Sequence, residues 1–378
     1  MPTLALITSH APSLRWFRAP LIRAVRERGV SVVALAPNFD EDTRAAVRAL
    51  GAIPVDCAMS RAGMNPVRDA WNTWKLTRLL RQLGPDVTLG YFIKPVIFGS
   101  LAARWAGVPN RFAMVEGLGF VFTEEAREFP LGRRLLKRLV MYLYKVGLSC
   151  ADRVIFLNSD DQAELVSAGL LPVDKGFLLG GIGVDLALWQ AAPPVLEPVT
   201  FLLVARLLRE KGIEQYAQAA RMIKQRYPEV RFILLGGVDE NPGSITRADV
   251  QVWVDQGTLE WHGHVAVRPW LERTSVYVLP SYREGVPVST QEAMAVGRPI
   301  ITTDVPGCRE TVIDGVNGFL VPVRNPEALA EKMLIFIEQP QLIASMGQAS
   351  RRIAEERFDA HKASQRLTDL MLGQLSKS

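Results

Sequence analysis

Short runs of aliphatic and β-branched residues alternate along this chain with longer segments whose apolar positions recur every three to four residues. Residues 4–9 predict a first buried strand, and residues 14–28 an amphipathic helix stopped by Gly29. Strand 30–36, helix 43–50, a short strand 53–55, a loop 60–66 and helix 67–83 follow. Strand 87–91, helix 96–106, strand 111–115, helix 131–150, strand 153–157 and helix 159–168 continue the alternation. Residues 180–185 read as a flexible crossing, and Ala191-Ala192-Pro193-Pro194 as a linker. The rhythm then restarts with strand 199–204, helix 213–227 and strand 231–236, followed by segments 259–262 and 267–273. Residues 275–280, 281–285, 287–297 and 299–303 form a strand, turn, helix and strand, and segment 311–320 and helix 326–338 complete the set. Strand–helix alternation of this kind builds parallel sheets covered on both faces. The predicted fold is α/β, with two Rossmann-like, doubly wound parallel-sheet domains facing a cleft: residues 1–185, then 195–357, with a C-terminal helix at 358–378 packing back on the first.

The stretch from 275 to 303 carries the most chemistry. Glu284 sits in the turn at the carboxyl end of a predicted strand, where open parallel sheets bind ligands, and Glu292 follows on the helix. The exposed amides of that helix's first turn, with its dipole, favour a phosphate. Carboxylates repel phosphate but accept hydrogen bonds from hydroxyls. A nucleotide-sugar, with phosphates in its middle and hydroxyls on either side, satisfies both. Arg206 and Lys211 follow another strand's carboxyl end and supply the fixed positive charge that a departing diphosphate needs.

Composition changes the picture little, and charge changes it more. A length of 378 residues suits two or three domains of ~100–200 residues. Three cysteines, Cys57, Cys150 and Cys308, with no C-x-x-C pair predict free thiols in a reducing compartment. The opening residues lack a basic n-region, and no apolar run approaches the ~20 residues that cross a bilayer. A cytoplasmic protein, peripheral on the inner face of the membrane, is expected. Residues 1–172 carry 22 Lys and Arg against 15 Asp and Glu, while the remainder carries 22 against 24. The first half therefore seeks an anionic partner. Arg133, Arg134, Lys137, Arg138 and Lys145, interleaved with apolar residues on one helix, suit an anionic lipid surface; a core-packed helix with a solvated basic edge is the other reading. Nucleic-acid-binding motifs are lacking. Asp40-Glu41-Asp42 and Asp160-Asp161 lie at helix starts, where carboxylates cap amides, and His262 and His264 have no further ligand close in sequence, so no metal site is expected.

The signature Glu284-Gly285-x-Pro287-x-Ser289-x-x-Glu292-Ala293-Met294-Ala295-x-Gly297-x-Pro299 resembles that of the retaining glycosyltransferase family 4, whose fold is GT-B. The resemblance implies that Glu284, with the amides of Gly285 and Val286, grips the transferred sugar. It also implies that Glu292 accepts hydrogen bonds from the ribose, that Gly237, His264 and Val265 adjoin the donor, and that Arg206 and Lys211 hold the diphosphate without a metal or other cofactor. The first half departs from the family: the first loop reads His10-Ala11-Pro12-Ser13, and Glu116 stands where many members have a histidine. Glu116 either holds the acceptor hydroxyl or takes its proton, or it is a capping or salt-bridged residue. His10, Arg15, Arg18 and Arg23 are the expected acceptor contacts, the arginines through the acceptor's diphosphate.

Further segments, among them Ser60-Arg61-Ala62-x-x-Asn65-Pro66, Arg111-Phe112-Ala113-x-Val115-Glu116-Gly117-Leu118-Gly119, and Gly236-Gly237-x-Asp239-Glu240-Asn241-Pro242, resemble one branch of that family. Its members move N-acetylgalactosamine onto an undecaprenyl-diphosphate-linked sugar in protein glycosylation and surface polysaccharide assembly. The implied partners are a UDP-sugar donor and a polyprenyl-diphosphate-sugar acceptor. Two other readings stay open: a UDP-sugar 2-epimerase acting without acceptor, and a non-catalytic assembly protein that binds nucleotide-sugar.

Overall fold

The computed structural model describes residues 1–60, 63, 65–119, 131–239 and 243–373, with backbone alone for 131–137. The chain divides into two compact units, residues 1–182 with 360–378, and residues 183–359. Each is built on one parallel sheet.

The first unit contains β1 (Thr3–Ile7), β2 (Ser31–Ala36), β3 (Ala52–Asp56), β4 (Val87–Tyr91), β5 (Asn110–Val115), β6 (Arg153–Phe156) and β7 (Gly176–Leu178), in the spatial order β3-β2-β1-β4-β5-β6-β7. The inner strands are mostly apolar and buried because helices cover both faces. Those helices are α1 (Pro12–Phe17), α2 (Ala19–Glu27), α3 (Glu41–Ala49), α4 (Pro66–Leu83), α5 (Ser100–Ala106), α6 (Leu131–Cys150) and α7 (Ser159–Ser167). Local chemistry fixes their ends. Asp40 caps α3 by accepting from the Thr43 amide at 2.7 Å, Asn65 caps α4 from Arg68, and Gly84 closes α4 in the left-handed region.

The second unit contains β8 (Thr200–Val204), β9 (Arg231–Leu235), β10 (Glu260–Trp261), β11 (Val276–Leu279), β12 (Ile300–Thr303) and β13 (Gly318–Val321), ordered β10-β9-β8-β11-β12-β13. Its helices are α8 (Ile213–Lys224), α9 (Arg247–Asp255), α10 (Arg268–Leu271), α11 (Val288–Ala295), α12 (Pro326–Glu338) and α13 (Gln341–Arg357). Phe201, Phe232, Tyr216, Val278 and Phe336 anchor its core. The last helix, α14 (Ala360–Leu372), returns to the first unit and packs on α2. There Arg28 pairs with Asp369 at 2.8 Å, and Arg366 donates to the carbonyls of Leu178 and Leu179.

Several expectations need correction. The helix expected over 14–28 is two helices broken at Arg18, because Pro20 has no N–H to continue the ladder. The start of the helix expected at 96–106 is a π-helical turn, Pro95–Gly99. Strand β7 and helix α9 were not anticipated, segment 267–273 holds only the short α10, and segment 311–320 contributes a strand only from Gly318. The linker expected at Ala191–Pro194 belongs to the second unit, which begins at Gly183 and ends at Asp359, so the expected bounds of 195–357 were too narrow. Arg298, fully buried, ties that segment down by donating to the carbonyls of Ala192 and Pro193 at 3.3 and 2.9 Å. Arg61, Ala62, Glu240, Asn241 and Pro242 lie outside the described residues, as do the side chains of Arg133, Arg134 and Lys137. All three cysteines are free and buried.

Candidate functional site

In each sheet the strand order reverses once, and ligands of open α/β sheets bind outside the carboxyl ends of the strands at that reversal. In the second unit the reversal lies between β8 and β11, which pair in parallel with Val276 beside Phe201 and Tyr277 beside Leu202. The two loops that leave those strands carry the predicted residues. The loop after β8 holds Arg206 and Lys211, and the loop after β11 holds Glu284.

The two loops are docked on each other. The Tyr282 amide donates to the Glu210 carbonyl at 2.8 Å. Gly212 closes the first loop with φ of +71°, and a Cβ there would stand 2.1 Å from the Pro280 carbonyl oxygen, so only glycine fits. Under the second loop, Thr302 Oγ1 donates to the Leu279 carbonyl at 2.6 Å and Thr303 Oγ1 donates to the Ser281 carbonyl. Lys211 Nζ reaches Glu284 Oε1 at 2.5 Å, with the side chains only 17% and 14% exposed. A pair so sheltered acts through a lower effective dielectric than water.

Glu292 lies on α11, whose first turn follows Pro287. The residue is partly exposed, yet burial of its carboxyl pushes the pKa up to about 8. Tyr277 sits beside both glutamates. Its hydroxyl lies within hydrogen-bond distance of Ser289 Oγ at 2.7 Å and of the Val204 carbonyl oxygen at 3.3 Å. Burial raises its pKa, and the charges of Glu292 and Glu284 raise it further. Cys308 is buried close to Glu284, its thiol pushed up to about 12 by burial and then by Glu284. Lys211, Glu284 and Glu292 thus gather around Tyr277 and Cys308, with buried Gly285 and Val286 between the two glutamates in sequence.

Arg206 stands at the same edge, half exposed, and pairs with Asp239 at 2.7 Å. Gly237 lies against His264, a Cβ at Gly237 being 3.6 Å from that of His264, and His264 and Val265 are exposed. Sequence reasoning missed Tyr277, Ser289, Cys308 and Asp239 as members of this neighbourhood. Among the described residues, the buried hydroxyl of Ser281 also lacks a partner. A tyrosine inside a continuous apolar strand gives no sign that its hydroxyl ends at a site.

The first unit departs further from expectation. His10 and Arg15 lie on the loop and helix that follow β1, His10 partly exposed and Arg15 exposed. Arg23 is exposed on α2. Arg18 is not available to an acceptor diphosphate. The break between α1 and α2 turns it inward, where it is 2% exposed, its guanidinium 4.2 Å from the centre of the Tyr91 ring. Burial lowers its pKa. Glu116 pairs with it, so of the alternatives the sequence left open for Glu116 the salt-bridged one is realised. Tyr91 in turn bonds Ser13 Oγ at 3.0 Å, which ties the three strand ends β1, β4 and β5 together.

Among the described residues, no group of three or more His, Cys, Asp and Glu side chains converges as metal ligands would, and no helix is long and apolar enough to cross a membrane.

Both halves of the chain match known protein domains. Residues 15–175 match the glycosyl transferase 4-like domain, and residues 198–339 match the domain described as glycosyl transferases group 1. The chain is 29% identical over 378 residues, 96% of each protein, to the N,N'-diacetylbacillosaminyl-diphospho-undecaprenol alpha-1,3-N-acetylgalactosaminyltransferase of Campylobacter jejuni. It is 24% identical to the UDP-Gal:alpha-D-GlcNAc-diphosphoundecaprenol alpha-1,3-galactosyltransferase of Escherichia coli, over 81% of this chain and 80% of that one. In fold it is similar to Anabaena HepE solved in complex with UDP, with a TM-score of 0.75 over the whole of both chains at 17% identity.

Proposed function

The chain belongs to the glycosyltransferases that pair a 4-like domain with a group 1 domain, and from that premise we propose that it moves an N-acetylhexosamine, N-acetylgalactosamine first among them, from a UDP-sugar to a polyprenyl-diphosphate-linked saccharide. Transfer retains the anomeric configuration and needs no metal. The observation that carries this reading is the Lys211–Glu284 pair at the strand-order reversal, beside the first turn of α11 and with Glu292 on that helix. The Campylobacter and Escherichia relatives, both named for diphosphoundecaprenol-linked substrates, support the acceptor class.

In this reading Glu292 takes the ribose hydroxyls, Glu284 with the Gly285 and Val286 amides takes the sugar hydroxyls, and Gly237, His264 and Val265 border the nucleotide. Arg206 and Lys211 neutralise the diphosphate. The bond from the sugar's anomeric carbon to the diphosphate breaks while the acceptor hydroxyl adds on the same face. The electron pair leaves with the diphosphate, which also accepts the hydroxyl proton. Fixed cations aimed at that developing charge lower the barrier, because they need no reorganisation when it appears. His10 and Arg15 are the first unit's contacts to the acceptor, and the basic first unit meets an anionic membrane.

The test is transfer from a set of UDP-sugars to undecaprenyl-diphosphate-linked sugars by the wild type, Lys211→Ala and Glu284→Ala. Losing one such charge-stabilising group costs about 10²–10³ in kcat, so both variants should be nearly inactive while keeping the wild-type circular dichroism spectrum. Normal turnover in both overturns the proposal, and so does conversion of the UDP-sugar without any acceptor.

A further inference from the structure

A groove of about 480 Å³ opens in the first unit between α4, the π-helical turn, α5 and α6. Ile93, Ile97, Phe98, Leu101, Val140 and Leu143 form its walls. Its charged residues cancel: Lys94 Nζ donates to Asp69 at 2.8 Å and to Ser60 Oγ at 2.5 Å. The groove therefore offers a ligand mainly apolar surface, which suits hydrocarbon and excludes a sugar or nucleotide.

Two features show that the groove's shape is held against local preference. Phe92, where the chain leaves β4, has φ of +70°, a region that aromatic residues rarely occupy. The π-helical turn behind it is a rare element concentrated at functional sites. It sits tightly on α6 because residue 147 is glycine, where a Cβ would stand 2.6 Å from the Ile97 Cα.

The mouth of the groove is exposed and apolar, with Trp105 52%, Leu139 45% and Ile93 41% accessible. Pro66 and Ala70 join it to a shallower patch formed with Val67, Trp71 and Trp74, the two indoles stacked at 4.7 Å. Lys75 and Arg78 ride over these rings at 5.4 and 4.9 Å. Helix α4 also carries Arg68 and Arg81, and its one carboxylate, Asp69, is already paired with Lys94. Exposed tryptophan flanked by cations that pair with no carboxylate among the described residues suits the headgroup region of an anionic bilayer. The groove also reaches the sheet's carboxyl edge, since Ile93 and Lys94 follow β4 and Leu118 and Gly119 follow β5.

We propose that this groove holds the isoprenoid chain of the lipid-linked acceptor. The chain enters from the bilayer over Trp71 and Trp74 and leaves its diphosphate-sugar at the carboxyl edge of the first sheet. The inference rests on the acceptor class given above and adds where its lipid lies.

The experiment has two arms. In the first, a benzophenone-bearing farnesyl diphosphate is photo-cross-linked to the protein and the labelled peptides are identified. Label is expected within residues 93–101 and 139–143, and Leu101→Trp, which fills the groove, should cut it at least tenfold. In the second, kcat/KM is compared for acceptors with the same diphosphate-sugar and either an undecaprenyl or a two-isoprene chain. Leu101→Trp should lower the long-to-short ratio at least tenfold.

The circular dichroism spectrum and the urea-unfolding midpoint serve as the folding control, and Ile93→Trp at the exposed mouth replaces Leu101→Trp should that control fail. Label elsewhere, label undiminished by either variant, or an unchanged ratio overturns the inference. So does equal displacement of the label by straight-chain phosphatidylglycerol. Groove labelling lost in the variants, without transfer to any lipid-linked acceptor, sustains the groove assignment and overturns the function proposed above.

Discussion

Replacing Glu292 by glutamine should abolish a proton release that accompanies donor binding. Burial holds this carboxyl at about 8 against an ordinary value of 4.5. The folded protein therefore keeps the proton between pH 4.5 and 8, while the unfolded chain loses it. The contribution to stability is fully present below pH 4.5, falls by about 1.4 kcal/mol per unit as pH rises, and is gone above pH 8. At pH 7 the loss amounts to roughly 3 kcal/mol, which a neutral amide of the same shape does not suffer. Glu292→Gln should accordingly raise the Tm at pH 7–8 and leave it unchanged near pH 4.

Donor binding reverses the bias. Ribose hydroxyls donate to a carboxylate and so favour its ionised form. A UDP-sugar should therefore expel up to one proton at pH 6–7, with its affinity rising as pH climbs and levelling above pH 8. The UDP-sugar itself, a diphosphate diester, does not titrate in that window. Calorimetry at pH 6.5 in two buffers of different ionisation enthalpy measures the release directly. The wild type should show buffer-dependent heat, and Glu292→Gln should not. Buffer-independent heat in the wild type, or the same release from both proteins, refutes the assignment of Glu292 to the ribose.

Glu116→Ala leaves the Arg18 guanidinium buried without its carboxylate, and breaking a buried pair from one side costs about 3–5 kcal/mol. Urea unfolding should register that loss in the first unit, while UDP affinity, assigned to the second unit in the proposed function, should stay at the wild-type value. Gly212→Ala places a methyl against the Pro280 carbonyl at a positive φ, displacing the loop that aims Lys211. UDP-sugar affinity measured by calorimetry should fall at least tenfold.

The two sheets were readable from the sequence because strands buried on both faces are written as continuous apolar runs, such as Thr200–Val204 and Val276–Leu279. Elements without such a run were lost. Strand β7 has three residues starting at a glycine. Helix α9 did announce itself, since Thr246 and Asp249 make a capping box, but its mixed polarity hid it. Pro20 was likewise visible, and a strict reading of it divides the helix over 14–28. What that break does to Arg18 was not visible, because the inward turn depends on Tyr91 and Glu116, which lie far along the chain. The segment Ala191–Pro194 shows the same limit from the other side. Its composition is that of a linker, and it is ordered by Arg298, more than a hundred positions away. The neighbourhood of the candidate site was legible where charged residues sit at strand ends, and illegible where a core residue such as Tyr277 sends only its hydroxyl toward it.

In the proposed function, the pairing of charges in the second unit also explains how a half-chain with a slight excess of acid would receive a diphosphate. Arg206 and Lys211 are each matched, by Asp239 and Glu284, so the loops carry little net field. An anion that draws Lys211 away must leave Glu284 without its cation in a setting only 14% exposed. A stranded buried group costs about 1–3 kcal/mol, more when charged. Inorganic diphosphate offers no compensation, because its oxygens accept hydrogen bonds and the carboxylate needs donors. A nucleotide-sugar brings hydroxyl donors on the sugar side for Glu284 and on the ribose side for Glu292, so the exchange on Lys211 leaves neither carboxylate unsatisfied. Selectivity for the donor over its bare diphosphate then comes from the carboxylates and not from the cations, which is why a site for a dianion is built with two glutamates.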